Sequence, residues 1–193
     1  MDGIVSLLDQ THDALVREIW AELEREFGVG GQSGIRYPHV SYHVAQRYDA
    51  TRLEQALPRV LRDVVPFPMR TTGLGIFTGA RPVLFVPVVR GPGLTRLHNA
   101  LWGAATPAAE GLVEVYGPDT WVPHITLAYG DIHNGMLTNG MLTDVVGFLH
   151  ERNFDWEIVV DSLFVVTGAG SAEERQMRFP LLGNGESAPA DGG

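Results

Sequence analysis

The chain has 193 residues, of which 45% are hydrophobic and 19% are charged, a composition typical of a globular domain and not of a disordered chain. Its net charge is -9, its fourteen basic residues are all arginines, and it has no cysteine, which excludes disulfides, thiolate chemistry and lysine-dependent catalysis. An acidic chain also lacks the broad basic field with which proteins bind long duplex nucleic acid. No apolar run is long enough for a membrane helix and residues 1–8 do not resemble a secretory signal, so we expect a cytoplasmic protein without a membrane partner.

Hydrophobic periodicity predicts eleven elements in the order β, α, β, α, β, β, α, β, α, β, β. A strand at residues 3–8 precedes a helix at 12–27, whose inward face is predicted to carry Leu15, Ile19, Leu23 and Phe27. A glycine-rich loop at 28–34 follows, and the other predicted elements are strands at 37–45, 66–78, 81–89, 122–129, 156–167 and 177–182 and helices at 49–65, 92–105 and 142–153. Pro58 makes the second helix imperfect, because an interior proline removes a hydrogen bond.

The order of elements falls into two similar halves. Each half has one strand with the same short pattern of a proline, a histidine and a hydroxyl residue. This predicts an α+β fold of two lobes related by a pseudo-twofold axis. We expect residues 1–183 to form one two-lobed domain, the tail at 184–193 to be disordered, and the protein to be a monomer.

A short pattern occurs twice, 85 residues apart, as Pro38-His39-Val40-Ser41-Tyr42 and Pro123-His124-Ile125-Thr126-Leu127. Side chains alternate across a strand, so each copy is predicted to place an imidazole and a hydroxyl on one face and apolar groups on the other. A single histidine of this kind is most often structural. Two matched pairs favour a functional site instead.

Two imidazoles across a cleft suit general acid and base catalysis, since one takes a proton while the other gives one. The hydroxyls of Ser41 and Thr126 suit hydrogen bonds to phosphate oxygens. Phosphodiester cleavage, or its reversal, is a reaction that uses this set with no metal and no covalent nucleophile. The site therefore predicts a small phosphodiester, or the end of an RNA, as the substrate.

The pairs His39-Val40-Ser41-Tyr42 and His124-Ile125-Thr126-Leu127 resemble the two H-x-[S/T]-x signatures of the 2H phosphoesterase superfamily, in its 2'-5' RNA ligase-like and cyclic phosphodiesterase branch. The resemblance implies antiparallel sheets with helices on their outer faces around a central cleft. It also implies cleavage or transfer at 2',3'-cyclic or 2'-5' phosphodiester bonds, with His39 and His124 as the acid and base and Ser41 and Thr126 as phosphate anchors. Tyr129 stands where some relatives have a basic residue.

Four further residues near the motifs are candidates for substrate binding. Period-two alternation places His43 on the face of His39, Arg36 is a potential phosphate partner, and Trp121 and Tyr129 are aromatic groups on which a base stacks in other sites. A strand-end surface position for His43, a loop position for Arg36 and core packing for the aromatic residues are the alternatives.

We expect no cofactor and no metal. A metal site of His39, His43 and His124 is disfavoured, because His-x₃-His spacing converges on a helix and this segment is a predicted strand. The alternative function is a catalytically silent module that binds a nucleotide or another phosphorylated ligand in the same cleft.

Overall fold

A computed structural model describes residues 1–29, 36–130, 137–169, 171–181 and 183. Most of the predicted glycine-rich loop, residues 131–136 after the second motif strand, and the predicted disordered tail at 184–193 lie outside the described residues. The strands are β1 (Asp2–Leu7), β2 (His39–Tyr48), β3 (Phe67–Arg70), β4 (Gly75–Phe77), β5 (Val83–Pro87), β6 (Ala109–Leu112), β7 (His124–Tyr129), β8 (Glu157–Val160), β9 (Ser162–Thr167) and β10 (Arg175–Pro180). The helices are α1 (Gln10–Phe27), α2 (Ala50–Leu61), α3 (Pro92–Ala105) and α4 (Leu142–Leu149).

The strands form three antiparallel sheets. One sheet has the order β10-β9-β1-β2-β6, a second has the order β4-β5-β7, and β3 pairs with β8. The two motif strands therefore lie in different sheets, and β2 and β7 contact each other. The predicted α+β class is confirmed.

Both motif strands contain a β-bulge at the same place. The pairing of β1 with β2 shifts register so that Val5 faces Ser41 while Ile4 faces His43. The pairing of β5 with β7 shifts in the same way after Thr126. A bulge inserts one unpaired residue, so the alternation of side chains restarts one position later.

Two long predicted strands are each divided between sheets. The predicted strand at 66–78 is β3 and β4, separated by a turn in which Gly73 has a φ of 54°, a conformation that favours glycine. The predicted strand at 156–167 is β8 and β9, separated by Asp161, whose carbonyl accepts from the N–H of Leu181. Strand β6 was not predicted, since its Ala-Glu-Gly-Leu sequence has no strand-like alternation of β-branched residues.

Helix α1 presents a slightly different face from the one predicted. Its buried residues are Val16, Ile19, Trp20 and Leu23, and Leu15 is 38% exposed. A strict period of four rotates away from the true face of a helix with 3.6 residues per turn, so the prediction for Leu15 was wrong. The correct face brings Trp20 toward β7.

A single cluster of buried apolar side chains joins the sheets and helices, and it includes residues from β1, β2, β5, β7, β9 and all four helices. Pro58 lies inside α2, on its exposed side. Within the described part of the chain, no helix is long and apolar enough to cross a membrane.

Candidate active site

The four motif side chains line one cleft of about 680 Å³. His39 and Ser41 come from β2, and His124 and Thr126 come from β7. All four are half-buried, whereas the alternating residues are fully buried; these are Val40, Tyr42, Ile125 and Leu127. The predicted division of each strand into a polar face and a buried face is therefore observed.

The two imidazoles are held in the same way. Nδ1 of His39 lies 2.6 Å from the carbonyl oxygen of Tyr37, and Nδ1 of His124 lies 2.7 Å from the carbonyl oxygen of Val122. A carbonyl only accepts, so each Nδ1 carries the proton and donates it. In each neutral ring, Nε2 is left as the nitrogen that can accept a proton from a bound molecule.

Burial lowers the pKa of both histidines, because it disfavours the charged imidazolium. The backbone hydrogen bonds oppose this effect. The pKa of His39 is lowered further by the nearby charge of protonated His124. Protonation of His124 therefore disfavours protonation of His39.

His124 lies against two phenylalanines. Its ring centroid is 5.0 Å from that of Phe77, edge-on at 85°, and 5.0 Å from that of Phe85. Gly75 allows Phe85 to take this position, since a Cβ atom at Gly75 would lie 2.3 Å from the Phe85 ring. The aromatic wall excludes water from one side of the His124 imidazole.

Two tryptophans cross-link the halves at the bulges. The indole Nε1 of Trp20, from α1 in the first half, donates to the carbonyl of Thr126 at 3.1 Å. The indole Nε1 of Trp121, from the second half, donates to the carbonyl of Ser41 at 2.9 Å. Each acceptor is the motif's hydroxyl residue, which immediately precedes the bulge. The motif pattern gave no sign of Trp20; only the 3.6-residue face of α1 points to it.

Two tyrosines complete the polar lining. Burial raises the pKa of Tyr116, nearby Tyr129 raises it further, and Ser41 partly opposes this increase. Tyr129 lines the cleft because the bulge moves it to the face of Thr126; Val44 takes the corresponding position in β2. Simple alternation would place both on the buried face, and Tyr116 was not predicted as a site residue.

The placement predicted for His43 was wrong. The bulge in β2 turns its side chain into the core, where it is 0% exposed and does not line the cleft. Thr106 donates its hydroxyl to Trp102, so it accepts from Nε2 of His43, and Nδ1 of His43 accepts from Tyr48 at 2.6 Å. Burial lowers the pKa of His43 to about 4, so this histidine is a neutral core residue, neither at the surface nor on the face of His39.

Neither Arg36 nor Trp121 takes the substrate-binding position considered for it. Arg36 is exposed and is not part of the cleft lining. Trp121 lines the cleft but is only 2% exposed, and one of its faces is stacked on His98, with ring centroids 3.8 Å apart and an interplanar angle of 3°. Trp121 therefore acts as a wall of the cleft and does not present an open ring face to a base.

His98 is a third histidine that supports the cleft. It is fully buried, and its Nε2 lies 3.0 Å from the carbonyl of Tyr42 and 2.9 Å from that of Tyr116. It thereby joins the segment that carries Tyr116 to the first motif strand. Among the described residues, no three histidine, aspartate or glutamate side chains are grouped so that they can hold a metal ion.

Comparisons with known proteins show where this architecture occurs. A family model described as the 2'-5' RNA ligase superfamily matches residues 11–172. No curated protein matches the chain significantly by sequence.

Solved structures show the same fold at low sequence identity. TT0787 of Thermus thermophilus is 19% identical with a TM-score of 0.61, over 95% of this chain and 99% of that one. LigT of E. coli, solved with 3'-AMP, is 18% identical with a TM-score of 0.53, over 94% of each chain. Usb1 of Kluyveromyces marxianus, solved with uridine monophosphate, is 11% identical with a TM-score of 0.55, over 93% of this chain and 98% of that one.

The two indole hydrogen bonds predict how tryptophan substitutions change the stability of the fold. Trp20→Phe and Trp121→Phe each leave a part-buried carbonyl without its donor, so each is expected to lower the free energy of unfolding by about 1–3 kcal/mol. Trp156→Phe is the control, because its indole also donates to a carbonyl, that of Asn153, but at an exposed position. Urea unfolding measures the three values; a loss for Trp156→Phe as large as for the other two contradicts this assignment.

The buried state of His43 predicts a dependence of stability on pH. Its pKa is lower in the folded state, so the unfolded chain binds the additional proton and stability falls as the pH drops from about 6.5 toward 4. For this one group the loss is at most about 3 kcal/mol. His43→Gln is expected to flatten the unfolding free energy over that interval relative to His150→Gln, an exposed control. Parallel curves for the two variants contradict the prediction.

Proposed function

The chain belongs to the 2'-5' RNA ligase superfamily, and from that premise we propose that it is a phosphodiesterase in which His39 and His124 act as general acid and base. The observation that carries the proposal is the matched fixing of the two imidazoles, each with Nδ1 bonded to a backbone carbonyl and both lining one cleft. Both reactive nitrogens are then Nε2 atoms, so the site has the same group to offer on each side of a bound phosphate.

In the proposed reaction, the substrate is a 2',3'-cyclic or 2'-5' phosphodiester in a small nucleotide or at an RNA end. Neutral Nε2 of one histidine takes a proton from the attacking water or hydroxyl as the new P–O bond forms. Protonated Nε2 of the other histidine gives a proton to the leaving oxygen as its P–O bond breaks. At the end of the reaction the histidine that was neutral is protonated and the one that was protonated is neutral. Proton exchange with solvent restores the starting state. The same geometry read in reverse supports ligation.

The electrostatic interaction of the two histidines suits this mechanism. The charge of protonated His124 disfavours protonation of His39, and the proposed reaction uses one protonated and one neutral ring. The hydroxyls of Ser41 and Thr126 donate to the non-bridging oxygens and hold the phosphate between the rings. The nucleotides bound by LigT and Usb1 support a small nucleotide as the ligand.

The proposal predicts loss of turnover when either histidine is removed. His39→Ala and His124→Ala are each expected to lower kcat on a 2',3'-cyclic nucleotide by about 10² to 10⁴-fold, in excess EDTA. The double variant is expected to lose little more than either single one, because the pair acts as a unit. His150→Ala, outside the cleft, is the control.

Two results contradict the proposal. One is turnover that neither histidine substitution lowers in variants shown to be folded by circular dichroism, and the other is turnover that EDTA abolishes. Nucleotide binding without any turnover by the wild-type protein would favour the catalytically silent binding module.

The lowered pKa values predict an acidic optimum. A reaction that needs one protonated and one neutral histidine has a bell-shaped profile, and the maximum of kcat/KM lies between the two pKa values of the free enzyme. Since the pKa values of both His39 and His124 are lowered, the maximum is expected below about pH 6.5, the ordinary value for histidine. A maximum of kcat/KM well above that pH contradicts the prediction.

A further inference from the structure

His98 lies behind the cleft and not in it. It belongs to α3, a helix from which no residue appears in the described lining, and its side chain is fully buried. Its Nε2 lies 3.0 Å from the carbonyl oxygen of Tyr42 and 2.9 Å from that of Tyr116. Both partners only accept, so Nε2 carries a proton and donates to both. One imidazole N–H therefore serves two parts of the site at once.

The first acceptor is the unpaired residue of the bulge in β2. The register with β1 passes from Ser41 to His43, so Tyr42 has no partner residue in β1, and the pairing of β2 with β6 begins at Ala45. A bulge takes one residue out of the strand ladder, and a buried carbonyl at such a residue needs another donor. His98 provides that donor. Its hydrogen bond holds the backbone immediately after Ser41.

The second acceptor belongs to a segment that forms one wall of the cleft. We call residues 115–122 the wall segment, because five of them are in the lining: Val115, Tyr116, Thr120, Trp121 and Val122. His98 contacts this segment twice, since its Nε2 donates to the carbonyl of Tyr116 and its ring is stacked on Trp121 with centroids 3.8 Å apart. Between these contacts, the backbone N–H of Trp121 donates to the carbonyl of Gly117 at 2.8 Å. His98 thus fixes the wall segment near both of its ends.

The wall segment leads directly to His124. Its last residue is Val122, whose carbonyl accepts from Nδ1 of His124 at 2.7 Å. The preceding residue is Trp121, which is held by His98 and which donates to the carbonyl of Ser41. A shift of the wall segment would therefore move the acceptor that sets the orientation and the tautomer of the His124 ring.

We infer that His98 is a positioning residue for both halves of the site. It holds the backbone beside Ser41 through the bulge of β2, and it holds the acceptor of His124 through the wall segment. Since it does not line the cleft, it acts only through these groups. The inference rests on the proposed function for the catalytic meaning of the His124 orientation, and it adds a residue that the repeated motif does not contain.

A pair of substitutions at position 98 isolates the donated hydrogen bonds. His98→Gln and His98→Met give unbranched side chains of similar size and helix propensity, but only the glutamine amide donates. His98→Met is expected to have a kcat on a 2',3'-cyclic nucleotide about 10- to 100-fold below that of His98→Gln, because a small misplacement of a proton-transfer group lowers the rate. The change in KM is expected to be smaller, since no contact to bound substrate is removed. His98→Phe keeps a ring against Trp121 without a donor, and it replaces His98→Met, with the same expectation, if that variant does not fold.

The state of the His124 ring gives a second readout that needs no turnover. At about pH 8, where histidine is neutral, ¹⁵N NMR distinguishes a proton on Nδ1 from a proton on Nε2. His124 is expected to be the Nδ1–H tautomer in the wild type and in His98→Gln, and to acquire the Nε2–H tautomer in His98→Met. His39 is the internal reference, because its acceptor, the carbonyl of Tyr37, lies outside the wall segment.

Leu57→Ala is the control for a general loss of stability. Leu57 is fully buried in α2, a helix that contributes no described residue to the cleft lining. Loss of a buried leucine side chain destabilises a fold strongly. The folded molecules of this variant are expected to retain the wild-type kcat and the wild-type tautomer of His124.

Failure of the inference and failure of the proposed function are distinguishable. If the wild type turns over substrate, equal kcat values for folded His98→Gln and His98→Met overturn the inference. It is also overturned if the tautomer of His124 does not differ between these variants, or if Leu57→Ala changes that tautomer as much as His98→Met does. A wild-type protein without turnover, in which the tautomer responds as expected, contradicts the proposed function and supports the positioning role of His98.

Discussion

Two indole N–H groups hold the cleft in register. Each comes from one half of the chain and donates to the motif strand of the other half, at the carbonyl of the hydroxyl residue. The acceptors stand next to bulges, where regular strand pairing is interrupted and a backbone group is most in need of another partner. One pair of contacts therefore joins each motif strand to the other half of the chain and holds the backbone of Ser41 and Thr126 in the cleft that both imidazoles line. Displacing either tryptophan would loosen both the fold and the position of a motif hydroxyl.

The fold could be predicted from the sequence as far as local patterns decide it. The four helices, the motif strands and the α+β class follow from periodicity, and the range predicted for the third helix is the observed one. The sequence does not show where a chain leaves one sheet for another. Residues 156–167 read as one continuous strand, but Asp161 separates two strands with different partners. That division depends on long-range pairing, which local propensity does not specify.

The sequence predicted the four central residues of the candidate site but not the arrangement of the residues around them. Alternation was enough to place His39, Ser41, His124 and Thr126 on polar faces, and the predicted kinship with 2H phosphoesterases is confirmed. Alternation gave the wrong face for His43, because a bulge shifts the facing of every later residue in the strand. Such a bulge leaves no trace in a single sequence. The same shift brought Tyr129 into the cleft. Their catalytic and binding roles remain predictions from geometry.

The acceptor for each imidazole Nδ1 is a main-chain carbonyl two residues earlier, a group that every amino acid possesses. Ring orientation and tautomer are therefore independent of which side chains occupy positions 37 and 122. Tyr37 is 37% exposed and Val122 is 46% exposed, and Val122 also contributes to the rim of the cleft. Substitutions at these two positions can therefore change the surface beside the cleft without changing the orientation or the tautomer of either imidazole.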